Sequence, residues 1–191
     1  MKIGIFGDSF GFQKSDQLGL SWVDLLEQQH DIENYCQCGV SEYKILKQLT
    51  SVDLSQFQHL IITHTSYSRI FVDHNPIHQQ SKYHQECDIL LSDVDSRTDE
   101  FSTACKLYFK YIFNFTYAKD IHNLILKEIN DRCRDYSVIH MTNFDHDGLF
   151  PFQNLLNFHE LFLSNRGDIN HYDAVANKII YKTVADRLDL A

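Results

Sequence analysis

Proline and glycine are scarce in this chain, with two prolines and seven glycines among 191 residues. That excludes collagen-like and proline-rich architectures and argues against long disordered tails. No apolar run reaches the length of a membrane span. The opening Met1-Lys2-Ile3-Gly4-Ile5-Phe6-Gly7-Asp8 turns polar too soon for a signal-peptide core, so the expectation is a cytoplasmic protein without a signal peptide. Positive charge is in deficit: 17 Lys and Arg stand against 26 Asp and Glu, a net charge of -9 with histidines neutral. A general polyanion binder needs the opposite balance, so neither nucleic acid nor a membrane is an expected partner. The five cysteines are odd in number and scattered, and Cys36 and Cys38 are too close for a zinc knuckle. They read as buried free thiols rather than a disulfide framework.

The length suits one domain over residues 1–191, large enough to fold without disulfide or metal. Ile3, Ile5 and Phe6 form a short apolar run ending at Gly7, a buried first strand. Leu18, Leu20, Trp22, Val23, Leu25 and Leu26 recur near helical spacing, and Ile32 to Cys36 is a second strand. Ser41 can cap a helix burying Tyr43, Ile45, Leu46 and Leu49, and Leu60-Ile61-Ile62-Thr63 is a third strand. The alternation predicts an α/β fold: a parallel sheet covered by helices on both faces, a three-layer α/β/α sandwich.

A polar, histidine-rich excursion runs from about 68 to 100, a candidate substrate lid or recognition element. Apolar residues from Phe101 to Ile129 fit one long amphipathic helix or two in tandem, with Tyr108, Phe109, Tyr111, Phe113, Phe115 and Tyr117 as packing aromatics. Tyr136 to Met141 is the fourth strand, a loop-rich stretch continues to Gly167, and a last helix buries Ala174, Val175, Ile179, Ile180, Val184 and Leu188. In open α/β sheets ligands gather at the carboxyl ends of the strands. Gly7-Asp8-Ser9-Phe10, Gly39 and Thr63 to Ser66 fall at three such ends, and Asp168-Ile169-Asn170-His171 precedes the final helix.

Taken together these segments resemble the SGNH (GDSL-like) serine hydrolases, a family of esterases and lipases. Gly7-Asp8-Ser9-Phe10 after the first strand is similar to the block that names the family, Gly39 to its second-block glycine, and Asp168 with His171 to its late Asp-x-x-His. The resemblance implies the flavodoxin-like sandwich of that family, with no cofactor and no metal. It implies Ser9 as nucleophile, His171 as general base and Asp168 as the carboxylate that orients the imidazole. Backbone N–H groups of Ser9 and Gly39 would hold the oxyanion. The family's third donor is an asparagine after strand three, but here Thr63-His64-Thr65-Ser66-Tyr67-Ser68-Arg69 stands there. Thr65 is the favoured substitute, with Ser66 or His64 as alternatives; His64, Ser66 and Arg69 are candidate substrate-binding residues, Arg69 for an anionic group.

The expected activity is hydrolysis of a small acyl ester, an O-acetylated carbohydrate among the candidates, through an acyl-serine. An O-acyltransferase using the same serine, or a non-catalytic binding or structural module, are the alternatives. Gly7-x-Ser9-x-Gly11 also fits the nucleophile elbow of α/β-hydrolases. That fold places its elbow after several strands and puts acid and base on separate loops, so it is set aside. His74 and His78 have metal-ligand spacing, but Pro76 opposes a helix there, and the cluster His140, Asp145, His146 and Asp147 reads as solvated loop.

Overall fold

Strand β1 (Lys2–Gly7) is almost wholly buried, as its apolar residues require. In the computed structural model, which describes residues 1–12, 21–79, 81, 83–84, 86–145, 150–167 and 171–188, it lies near the centre of a parallel sheet. The other strands are β2 (Asp31–Asn34), β3 (His59–His64), β4 (Ser137–Thr142) and β5 (Leu155–Asn157). Their order is β2-β1-β3-β4-β5 and every pairing is parallel. This is the order of flavodoxin-like doubly wound sheets. The fold is therefore the expected α/β sandwich. The chain leaves β1 toward β2 and then returns to add β3 on β1's other side, so a crevice opens at the carboxyl ends of β1 and β3.

Alternation along the strands sorts the core into two layers. Ile3, Ile5, Ile61 and Ile139 face α1 (Trp22–Glu27) and α7 (Ala174–Leu188), packing with Trp22, Leu26, Ile180 and Val184. Phe6, Leu60, Ile62 and Val138 face α2 (Glu42–Thr50) and α5 (Phe115–Cys133), packing with Ile45, Leu49, Ile129 and Cys133. Each such side chain removed from water contributes about 1.5–3 kcal/mol before entropy is counted. Helix α1 begins with a full capping box between Ser21 and Asp24. Its last buried contact is Leu26; Leu18 and Leu20 lie outside the described residues.

Several elements depart from the expectation. Ser41 precedes α2, but its hydroxyl makes no cap bond; its N–H instead donates to the buried Asp88 carboxylate at 2.6 Å. The long apolar stretch takes the tandem form of the two expected, as α4 (Glu100–Tyr111) and α5, broken where Asn114 caps α5 by accepting from the Tyr117 N–H. That break turns Tyr111, Phe115 and Tyr117 outward, leaving each 65–70% exposed, so they are not core aromatics. Strand β5 and helix α6 (His159–Ser164) occupy the stretch expected to be loop. The excursion after β3 carries the short α3 (Leu91–Val94) and folds back through an antiparallel Ile70–Ile89 bridge.

Asp88 is the anchor of that excursion. Its carboxylate also accepts from the Val72 N–H at 3.0 Å and faces the Lys44 ammonium at 3.0 Å. All five cysteines are free; four are buried and Cys105 is half-buried. Among the described residues no helix is long and apolar enough to cross a membrane.

Candidate active site

Strand β1 ends at Gly7, whose φ of +143 and close approach to Thr63 leave no room for a Cβ. The Gln48 side chain clasps this glycine: Oε1 accepts the Gly7 N–H at 2.8 Å, and Nε2 donates to the Gly7 carbonyl at 3.2 Å. The turn that follows is fixed by Asp8, whose Oδ1 accepts from the Phe10 N–H at 3.0 Å. The Gly11 N–H closes it onto the Asp8 carbonyl at 3.2 Å. Ser9, at the tip, is half-buried.

Phe10 links this turn to the far end of the chain. Its ring centroid lies 5.6 Å from that of His171 and 5.1 Å from those of Tyr172 and Phe162. The loop carrying His171 is closed by a Gly167 N–H bond to the His171 carbonyl at 2.7 Å and by pairing of Arg166 with Tyr172. Asp168 lies outside the described residues. Ser9 and His171 share the wall of a cavity of about 330 Å³ with Asp8, Gly39, Thr65 and Arg69. Both also line a smaller space beside Phe12 and Asn177. The excursion supplies the opposite wall through His78, His84, Cys87, Leu90 and Asp93.

Gly39 adopts φ +69, and an added Cβ would sit 2.7 Å from the Cys87 Cβ, so the excursion packs directly on this turn. Thr65 is buried, and its N–H donates to Glu42 Oε2 at 3.1 Å. Its side chain lines the same cavity. Arg69 spans from the Gly39 carbonyl at 3.3 Å to the Asp88 carbonyl at 3.4 Å, and no carboxylate lies within 4.0 Å of it among the described residues. Burial pushes the Asp8 carboxyl up to about 7, against the lowering effects of the Phe10 N–H, the Thr63 hydroxyl and the Arg69 charge.

Two residues marked in the sequence do not reach this cavity. His64 is fully buried and near-parallel to the rings of His140 and Phe152, with ring centroids 5.1 and 4.6 Å away. Its Nδ1 bonds Glu42 Oε1 at 2.7 Å and its Nε2 bonds His140 Nδ1 at 2.9 Å. With both nitrogens engaged inside the core, it is absent from the wall of the Ser9 cavity. Ser66 lines neighbouring spaces instead, its Oγ 2.5 Å from Ser68 Oγ.

The Glu42–His64–His140 relay is a feature that the sequence reading missed. Burial pushes Glu42 up to about 7 and His64 down to about 3, each toward its neutral form. The one signal for it was a histidine between Ile139 and Met141 in a buried strand. Asn143, just past β4, was missed too; it is fully buried and its carboxamide has no hydrogen-bond partner among the described residues. Among the described residues no three His, Cys, Asp or Glu side chains group as a metal site.

No protein-family model matches the chain, and no curated protein matches it. Among solved structures, an extracellular lipase from Streptomyces rimosus is similar at 12% identity and a TM-score of 0.35, over 100% of this chain and 73% of that one. At that distance the functional reading rests on the residues themselves.

Proposed function

We propose that this protein is a serine hydrolase that cleaves a carboxylic ester through an acyl-serine intermediate. Ser9 Oγ attacks the carbonyl while His171 takes its proton, and His171 then returns the proton to the leaving alcohol. Asp168, three residues before the base, holds the imidazole in the tautomer this requires. The carbonyl oxygen becomes anionic as the bond forms, and the Ser9 and Gly39 N–H groups with the Thr65 hydroxyl receive it. Water then attacks the acyl-enzyme, with His171 as base again, releasing the acid and restoring Ser9.

The observation that carries this reading is the shared cavity: Ser9, Gly39, Thr65 and His171 come from four separate parts of the chain and line one space. That space lies where a doubly wound sheet holds its ligand. An acetyl or butyryl ester fits its volume. The test is p-nitrophenyl acetate and butyrate hydrolysis by wild type and by Ser9→Ala. Turnover by wild type that falls at least a thousandfold in Ser9→Ala is expected. Equal rates for the two proteins would refute the serine assignment.

A further inference from the structure

A second cavity, of about 300 Å³, lies on the other side of Arg69, between the start of α2, the segment after β3, and helices α4 and α5. Its origin is in the helix sequences. Helix α5 commits Leu126, Ile129 and Cys133 to the core, whereas the turns before them carry Ala118, Ile121 and Ile125 onto the cavity wall. Helix α4 fully buries Ser102 alone, so its end stands away from the sheet. The remaining wall is largely aromatic and aliphatic, including Tyr67, Phe71 and Phe113. Around the opening, Ile112 and Tyr117 are 67% and 66% exposed, and Tyr111 and Phe115 beside them are similarly bare. Apolar residues this exposed in one place mark a binding surface.

The polar groups on this wall are Ser41, Glu42, Ser66, Arg69, Asn114 and His122. Arg69 lines both this cavity and the Ser9 cavity, and its contacts are to backbone carbonyls rather than to a carboxylate. Glu42 is the acidic group here, but its oxygens are bonded to His64 and the Thr65 N–H. A half-open, mainly apolar space with a guanidinium on its wall suits a ligand with a hydrocarbon body and an anionic or carbonyl head. At about 30 Å³ for a water-sized group, the space takes about ten non-hydrogen atoms.

We propose that this cavity binds the hydrocarbon chain of a medium-chain acyl group, about eight to ten carbons long, with its carboxyl end at Arg69. As an account of substrate choice this rests on the proposed Ser9 chemistry; as an account of binding it does not. It gives the acyl chain a space of its own beside the Ser9 cavity, with Arg69 lining both.

The test is calorimetric titration of the full-length Ser9→Ala protein with sodium decanoate below its micellar concentration, with sodium acetate alongside. The expected result is saturable binding of one decanoate per chain and none of acetate. In the same background, Ala118→Trp fills the cavity and should weaken decanoate binding at least tenfold. Ile112→Asp, at an exposed position that folding does not depend on, should do likewise, and Arg69→Gln should weaken it about tenfold. Absence of decanoate binding overturns the proposal, as does undiminished binding in folded Ala118→Trp or Ile112→Asp. Because no turnover is measured, failure of the esterase reading leaves this outcome legible, and the reverse also holds.

Discussion

Replacing Gln48 by Leu tests whether the nucleophile turn is held from behind. The Gln48 carboxamide makes two bonds to one residue, accepting the Gly7 N–H at 2.8 Å and donating to the Gly7 carbonyl at 3.2 Å. The carbonyl has a second partner, the Gln37 N–H at 3.0 Å, so it stays satisfied in the variant. The N–H does not. A leucine of similar size leaves that buried donor orphaned, which costs about 1–3 kcal/mol. For a protein of this length each kcal/mol moves the melting midpoint by about 2–4 °C. The expected fall is therefore roughly 2–12 °C in thermal unfolding followed by circular dichroism. Gly7 immediately precedes Asp8 and Ser9, so any shift of its peptide moves the serine, and esterase turnover should fall with it. Thr50→Ala, on the exposed face of the same helix, should change stability by less than about 0.5 kcal/mol. A Gln48→Leu protein as stable and as active as wild type would refute the clasp.

Asp88→Ala strips partners from the buried Ser41 N–H, the half-buried Val72 N–H and the Lys44 ammonium, and should cost about 3–5 kcal/mol in urea unfolding. A loss below about 1 kcal/mol would show that the excursion is anchored elsewhere. Asp8, pushed up to about 7 by burial, holds its proton in the folded chain at pH values where the unfolded chain has lost it. Its contribution is present below the unfolded value of 3.8 and is lost as pH rises through about 7. Wild type should therefore lose about 2–3 kcal/mol relative to Asp8→Asn between pH 5 and pH 8, and parallel pH profiles would contradict this. His171→Ala should lose nearly as much turnover as Ser9→Ala, whereas Asp168→Asn should leave more, because members of a triad act as a unit. Near-wild-type turnover in His171→Ala would remove the base.

The first, third and fourth strands were legible because each is a run such as Leu60-Ile61-Ile62 with no helical period, and their alternation with helices implied the parallel sheet. Strand β5 was not, since three residues at a sheet edge, two half-buried and one exposed, carry too little pattern. The aromatic run around Tyr111 misled because its hydrophobicity spoke for burial, while the break at Asn114 decides which way those rings point. Ser9, Gly39 and His171 could be marked because each sits at a strand or helix junction that a linear reading can locate. The Glu42–His64–His140 relay joins three elements through side chains alone, and no spacing along the chain encodes such a meeting.

The most direct trial of the proposed chemistry is reaction of the intact protein with a fluorophosphonate, followed by mass spectrometry of its peptides. One phosphonyl adduct per chain, on the peptide containing Ser9 and absent from Ser9→Ala, is the predicted result. An unmodified protein, or an adduct on a different residue, would contradict it.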